Sequence, residues 1–388
     1  MKKGKVIPLS EPCLCGHEWR NVKECLDTGW VSSVGSYVER FESDVARYAG
    51  RKYAVACASG TAALHTALMA AEVGEGDEVI MPSLTFAAPA FAVRYTGAWP
   101  VFVDVEPRHW QIDVQKTADF ISRQCKVSRK GIFNRLTKRK IKAIIPVHLL
   151  GHPVDMAPLM ELAGRLGLVV IEDAAESIGS QYRGRNTGSA ADIACFSFNG
   201  NKIITCGGGG MLATNDPKIA KRSRHLTTQA KADGVEYIHD AIGYNYRLTN
   251  LQAAIGVAQM EKLDDFVEKK RAIAKRYDEG LRGLEGLLLP QEASWARSTF
   301  WLYTVLVNAK KYGMDSRALM KKLSGAGIQS RPLWRPLHLQ GIFKGCASFQ
   351  ITEAVRLYKE ALSLPSSMTL GRAGQSRVIG IIKNNGRI

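Results

Sequence analysis

The chain reads as an α/β protein, with a mostly parallel central sheet covered by helices and a smaller α+β domain after it. Three observations predict this. Short, continuous apolar runs recur through the first half: EVIMPSLTF (78–86), PVFVDVEP (100–107), IKAIIPVHLL (141–150), LVVIEDAA (168–175) and DIACFSFN (192–199). Stretches with helical spacing, such as TAALHTALMAA (61–71) and APLMELAGRLG (157–167), separate them. Strands apolar on both faces need cover on both sides, and parallel neighbours need crossover helices, so the two patterns imply one another. The third observation is an amphipathic pattern from Thr249 to Leu281, far longer than a typical helix, which would carry the chain out of the first unit. Beyond it, the strand-like STFWLYTVLV (298–307) and two later helical stretches suit a second, smaller unit. The expected division is residues 1–265 for the large domain with its N-terminal segment and 266–388 for the small one.

Composition narrows the classes. With 388 residues, 46% hydrophobic and 23% charged, the chain can bury a large core and is not disordered. The basic start, MKKGKVIPLSEP, lacks an apolar stretch behind it and does not read as a secretory signal. No run approaches a membrane span. Eight cysteines are scattered, with Cys57, Cys195 and Cys206 inside apolar segments, which is cytoplasmic thiol usage and not a disulfide framework. Cys13 and Cys15 form a CxC without a second ligand pair at metal spacing, so no metal is expected. A net charge of +17 admits a nucleic acid, an anionic membrane surface or an anionic small substrate. Residues 123–140 hold eight Lys or Arg and no acid, including Lys138. They read either as a solvated loop or as a loop that concentrates a diphosphate substrate. No aromatic-interleaved RNA surface appears, so nucleic acid ranks last.

Three local features carry chemistry. LVVIED ends in Glu172 and Asp173, at the carboxyl end of a buried strand, where open α/β sheets gather their ligands. A lone acid there is commonly a helix N-cap. The sharper reading is a carboxylate that keeps a cofactor's ring nitrogen protonated. Next, FSFNGNKIITCGGGGMLATND places Lys202 in a polar turn between an apolar strand and Gly207, Gly208, Gly209 and Gly210. Such glycines permit positive φ and close approach of the backbone to a ligand. No GxxxxGK[ST] is present, so this is not a P-loop, and no GxGxxG follows an opening strand. An amine shielded from water beside a cationic group becomes a usable nucleophile. Third, Ser59, Gly60 and Thr61 precede an apolar helix. They read either as a plain N-cap or as an anion site made by backbone N–H groups and the helix dipole.

With these residues in view, the chain resembles the DegT/DnrJ/EryC1/StrS sugar aminotransferases over nearly its whole length. The resemblance rests on GWVSSVGSYVERFESDVARYAG, ASGTAAL, GDEVIMPSLTFAA, VHLLGHPVDM, IEDAAESIGS, FSFNGNK, GGGGMLATND, GYNYRLTNLQAA and RPLWRPLH, in that order and spacing. It implies the PLP-dependent aminotransferase fold type I and pyridoxal 5'-phosphate (PLP) as cofactor. Lys202 would bond to the cofactor's aldehyde carbon and then move the proton. Asp173 would pair with the pyridine nitrogen. Gly60, Thr61 and Ser197 would hold the phosphate, and Phe86 would stack on the ring, against the alternative of an ordinary core aromatic. Glu176 would be a further cofactor contact, although a carboxylate facing a phenolate requires one of the two to be protonated. Asn245 would reach the phosphate of a neighbouring subunit and Arg247 would sit at the same interface, giving a homodimer with shared sites.

The basic insertion, HLTTQAK, EYIHDAIGYNYR and SRPLWRPLHLQ resemble the branch that aminates UDP-linked 4-keto sugars in bacillosamine and legionaminic acid pathways. L-Glutamate would be the amino donor, and Arg247, Arg331, His338 and Lys138 the substrate candidates. For Arg331 a surface ion pair is an equal reading. GDP-linked (perosamine-type) or dTDP-linked keto sugars would suit every catalytic residue named. A sugar dehydratase of the same fold would carry histidine in place of Lys202. A non-catalytic relative would have no need of Lys202, Asp173, Ser197 and Thr61 together.

Overall fold

The computed structural model describes residues 6–386, so the first five residues of the basic start lie outside the described residues. The central sheet has ten strands: β1 Tyr53–Cys57, β2 Asp77–Pro82, β3 Trp99–Val103, β4 Cys125–Ser128, β5 Gly131–Asn134, β6 Lys140–Ile144, β7 Val169–Asp173, β8 Ile193–Ser197, β9 Gly210–Thr214 and β10 Ala347–Phe349. Their order is β1-β9-β8-β7-β6-β2-β3-β10, with the β4–β5 hairpin attached to β6. From β8 to β10 every neighbour along this path is parallel, while β9 runs against both β1 and β8. The apolar runs read from the sequence are the parallel strands. Two separate apolar clusters explain their continuity: Val79, Met81, Phe102 and Ile171 face one side, and Ile80, Val101, Val103 and Val170 the other.

Helix α1 covers Glu18–Thr28, α2 Ser36–Tyr48, α3 Gly60–Ala70, α4 Ala88–Tyr95, α5 Val114–Gln124, α6 Met156–Leu166 and α7 Pro217–Thr227. Helix α3 is apolar almost all round, and eight of its eleven residues are buried, so it lies inside the core instead of on it.

The expected long helix is two helices, α8 (Asn250–Met260) and α9 (Leu263–Leu281). No Pro or Gly marks the break at Glu261–Lys262, and the cause is tertiary. Helix α8 packs on α1 and α2 after a capping box of Thr249 and Gln252. Helix α9 turns away so that Leu263, Phe266 and Val267 stay with the large core. Its residues Ile273, Ala274, Tyr277 and Leu281 enter a second one.

That second core lies under a three-stranded antiparallel sheet (Leu287–Leu288, Tyr303–Val307, Ala361–Leu364) and the helices Ser316–Gly325 and Arg372–Asn385. Residues 266–388 are nevertheless not one block. Leu337 and Phe343 pack into the large core, and β10 extends the large sheet beside β3. An otherwise open parallel edge is covered this way by three residues too short to signal a strand.

Residues 123–140 are also not a plain loop. They form the β4–β5 hairpin, which pairs with the start of β6 at Phe133–Lys140 and Ile132–Ile141. Cys125, Ile132 and Asn134 turn inward, and Lys126, Arg129, Lys130 and Lys138 are exposed. The basic segment therefore hangs at the opposite end of the parallel strands from Asp173.

Candidate active site

Strand alternation separates the two acids at the end of β7. Glu172 turns to one face, where it accepts hydrogen bonds from the Gly188 and Ala191 amides and from His148 Nε2 at 2.7 Å. His148 Nδ1 accepts the Val154 N–H, so this buried pair is saturated and structural. Asp173 turns to the other face. Among the described residues its carboxylate accepts a single hydrogen bond, from the Ala175 N–H at 3.1 Å, so it shapes a turn and caps no helix. Burial raises its pKa, against the lowering effect of that N–H and of the Lys202 charge. A carboxylate buried with so little compensation is stabilised by a cationic partner in front of it.

Lys202 stands on the loop between β8 and β9. That loop closes on itself through Phe198 N–H to Gly209 O, Cys206 N–H to Phe198 O and Lys202 N–H to Asn199 O. Phe198, Ile203 and Ile204 are buried and anchor both flanks, which fixes where the amine emerges. The side chain is 13% exposed, with Nζ 3.8 Å from Glu176 Oε1 and 4.1 Å from the centre of the Trp301 ring. A Cβ on Gly210 would lie 2.3 Å from Ser59 O and 2.6 Å from Gly60 N. Gly210 lets β9 approach the start of α3, while Gly207 and Gly209 hold positive φ.

At that start, Ser59 caps α3 by accepting the Ala62 N–H. The amides of Gly60 and Thr61 stand in the first turn, where a helix offers no internal acceptor. A Cβ on Gly60 would lie 2.7 Å from Ser197 Cβ, so glycine keeps open the notch between the helix start and the Ser197 hydroxyl. The cap is present, and beside it the Gly60 and Thr61 amides and the Ser197 hydroxyl stand where an anion could be held.

These parts share one cavity of about 220 Å³. Gly60, Thr61 and Ser197, Asp173 and Glu176, Lys202 and Phe86 all line it. Phe86 is 56% exposed and meets Trp334 edge-on at 6.3 Å, so it is no core aromatic. Glu176 Oε2 accepts the Leu150 N–H at 2.8 Å, and burial pushes its pKa up to about 7 despite Lys202 nearby. A carboxyl whose pKa is raised by burial keeps a proton more readily than an ordinary one, which is the condition a neighbouring phenolate would require.

The remaining candidates lie elsewhere. Arg247 is bound to Glu42 at 2.6 Å within its own chain. Asn245 is exposed and outside the cavity. Arg331 is exposed and its guanidinium returns to Ser330 O. His338 Nδ1 lies 2.6 Å from Ser83 Oγ, behind the segment that leads to Thr85 and Phe86, and burial lowers its pKa. Lys138 is at the far end of the sheet. Trp301 and Trp334 line the cavity and were not singled out from the sequence. Trp334 sits inside RPLWRPLH, where an aromatic between two prolines was an available signal. Trp301 lies in a run that reads only as a strand.

The cavity fits PLP. It offers an anion cradle for a phosphate, a shielded primary amine for an aldehyde, a buried carboxylate for a protonated ring nitrogen and a protonatable acid for a phenolic oxygen. The comparisons agree. Residues 12–383 match the model of the DegT/DnrJ/EryC1/StrS aminotransferase family. GDP-perosamine synthase of Caulobacter vibrioides is 41% identical over 377 residues, 97% of each chain. GDP-perosamine synthase of Escherichia coli O157:H7 is 41% identical over 339 residues, 87% of each chain. The structure of S. venezuelae DesV in complex with a ketimine intermediate superposes with a TM-score of 0.85 at 33% identity, covering 96% of this chain and 95% of that one. The chain therefore belongs to the DegT/DnrJ/EryC1/StrS aminotransferase family and is a PLP-dependent enzyme.

Proposed function

We propose that the protein transfers the amino group of L-glutamate to C-4 of a GDP-linked 4-keto-6-deoxy sugar, giving a product of the GDP-perosamine type. The observation that carries the aminotransferase chemistry is the convergence of Lys202, Asp173 and the start of α3 on one cavity. The GDP reading is supported by the two GDP-perosamine synthases at 41% identity over most of the chain. It replaces the UDP-linked bacillosamine-type substrate read from the sequence, which has no support of that strength and becomes the second arm of the test.

When bound, PLP supplies an aldehyde carbon that takes up the amino group and a ring that accepts the electron pair of the broken C–H bond. The chain supplies the rest. Gly60, Thr61 and Ser197 hold the phosphate, and Asp173 holds the proton on the ring nitrogen. Glu176 donates its proton toward the ring oxygen, kept in place by the Leu150 N–H. Lys202 Nζ would take the α-proton of glutamate and return a proton to the cofactor's side of the C–N bond, and water adding to the C=N bond left at the former α-carbon would release 2-oxoglutarate while the amino group stays behind. The same transfers in reverse order aminate the keto sugar, which gives ping-pong kinetics. Phe86 and Trp334 line the cavity in contact with one another, and Trp301 flanks the amine.

Asn245, exposed and outside the cavity of its own chain, is assigned to the cavity of a second copy in a homodimer. A cytoplasmic setting agrees with the precursor sugars, and among the described residues no helix is long and apolar enough to cross a membrane.

The test is an absorbance titration of the PLP-loaded protein. Glutamate should bleach the yellow form, and a panel of GDP-, UDP- and dTDP-linked 4-keto sugars should restore it selectively. Restoration by the GDP sugar supports the proposal. Restoration by a UDP sugar alone would return the substrate to the other branch, and no bleaching by glutamate would sink the donor assignment.

A further inference from the structure

The cysteine pair at the N-terminus is unused by this chemistry. Cys13 Sγ and Cys15 Sγ lie 3.5 Å apart. Cys15 is exposed and Cys13 half-buried, whereas Cys25, Cys57, Cys125, Cys195 and Cys206 are buried and Cys346 stands half-buried. Among the described residues no group of three His, Cys, Asp or Glu that could hold a metal gathers. Two thiols at this separation, one of them open to solvent, are placed for oxidation to a disulfide.

Their surroundings give oxidation a consequence. Cys13 O accepts Gln259 Nε2 at 2.9 Å, and Gln259 Oε1 accepts the Thr205 N–H at 3.2 Å. Thr205 closes the base of the Lys202 loop, because its hydroxyl donates to Phe198 O at 3.1 Å and accepts the Gly207 N–H at 2.8 Å. Three residues before Cys13, Ser10 Oγ donates to Asn201 O at 3.2 Å, the carbonyl that also accepts the Trp301 indole N–H at 2.7 Å. The segment bearing the two thiols is thus tied to the Lys202 loop at both sides, at Asn201 and at Thr205.

We propose that Cys13 and Cys15 form a redox-active dithiol whose oxidation by a small-molecule disulfide loosens the loop carrying Lys202. Cys15, the exposed thiol, attacks one sulfur of the oxidant as its thiolate and releases one thiol. Cys13, whose proton burial and the neighbouring Cys15 hold more tightly, then attacks Cys15 Sγ and releases the second. The two protein thiols are oxidised, the oxidant is reduced to two thiols, and the two protons pass to those products. The sulfurs must close from 3.5 Å to a bond of about 2.05 Å, which turns the backbone at Cys13 and strains its link to Gln259.

The coupling to activity rests on the proposed aminotransferase reading. The thiol chemistry and loop mobility do not, and they can be read without substrate. The PLP-loaded protein is treated with oxidised glutathione, digested and mapped, with dithiothreitol reversal. The expected result is loss of two hydrogens in the peptide containing both Cys13 and Cys15, with no retained glutathione. Amide exchange in residues 198–207 should quicken, and glutamate turnover should fall about tenfold, within the hundredfold that a 1 Å misplacement can cost. The Cys13→Ser, Cys15→Ser double variant should keep its activity under the same treatment. Retained glutathione on Cys15 or unreacted thiols would overturn the dithiol. A Cys13–Cys15 disulfide that leaves exchange in 198–207 unchanged would overturn the coupling. An equal loss of activity in the double variant would assign the effect to other cysteines and overturn it as well.

Discussion

Replacing Lys270 by methionine should flatten the pH dependence of stability. Lys270 lies on α9, is 3% exposed, and has no carboxylate partner among the described residues; its Nζ donates to Trp301 O at 2.8 Å and to Ser366 O at 2.6 Å. Burial pushes its pKa from the usual 10.5 down to about 7. In the unfolded chain the amine binds its proton up to about pH 10.4, so between pH 7 and that point the unfolded state holds more protons than the folded one. Stability therefore rises with pH across this window. Integrating one site with these two values gives a gain of about 2 kcal/mol from pH 7 to pH 9. The two carbonyls also favour the charged form, so the observed gain should fall at or below that figure. The methionine variant lacks the site and should gain nothing from it. Its constant penalty, two carbonyls left without donors, is about 1–3 kcal/mol each and does not vary with pH. Urea unfolding midpoints of both proteins at pH 7, 8 and 9 measure the difference of differences, in which every other titrating group cancels. Parallel profiles would show that the amine is charged in the fold at neutral pH, and the burial argument would fail.

Lys202→Ala should abolish transamination while the protein stays folded, and borohydride should no longer fix a pyridoxyl group on the chain; retained turnover would remove the central role of this amine. Asp173→Asn should still bind PLP but slow the glutamate half-reaction by about 100-fold or more, read by stopped-flow absorbance, and an unchanged rate would refute its hold on the ring nitrogen. Gly60→Ala places a methyl 2.7 Å from Ser197 Cβ and should weaken PLP about tenfold or more, measured by equilibrium dialysis. Mixing Lys202→Ala with Asn245→Ala subunits should restore about half the wild-type activity in each mixed dimer, roughly a quarter over a randomly paired sample, because one of the two sites then has both side chains, and no recovery would deny the shared site.

The parts of the molecule that were legible in the sequence are those whose signal is local. The parallel strands announce themselves because both faces are buried; Asp173 ends such a strand, Lys202 sits on the polar loop that follows one, and Gly60 and Thr61 start a core helix. Strand β10 was silent because three residues carry no period, and the α8–α9 break was silent because packing and not a Pro or Gly imposes it. Trp301 and Trp334 were missed for a related reason. They reach the cavity by tertiary approach across a hundred residues or more of chain, and one contact that permits it is Gly151, at φ 89°, where a Cβ would lie 2.4 Å from Thr299 Oγ1.

Charge was the most visible feature of the composition and the least informative about the site. The exposed cations of the β4–β5 hairpin sit near Lys140, whereas the cavity begins near Val147 on the same strand direction. At about 3.3 Å per residue that is roughly 20 Å. The Debye length at physiological salt is about 8 Å, so solvated charges at this distance are screened by more than two lengths. They can raise the encounter rate of an anionic substrate at low salt but add little to its affinity once bound. Neutralising Arg129, Lys130 and Lys138 together should therefore leave the apparent affinity for the sugar nucleotide within about twofold at 150 mM salt, with any effect confined to the association rate at low salt. A large loss of affinity at physiological salt would place these side chains against bound substrate, which within one chain the sheet geometry forbids and only a second copy could allow.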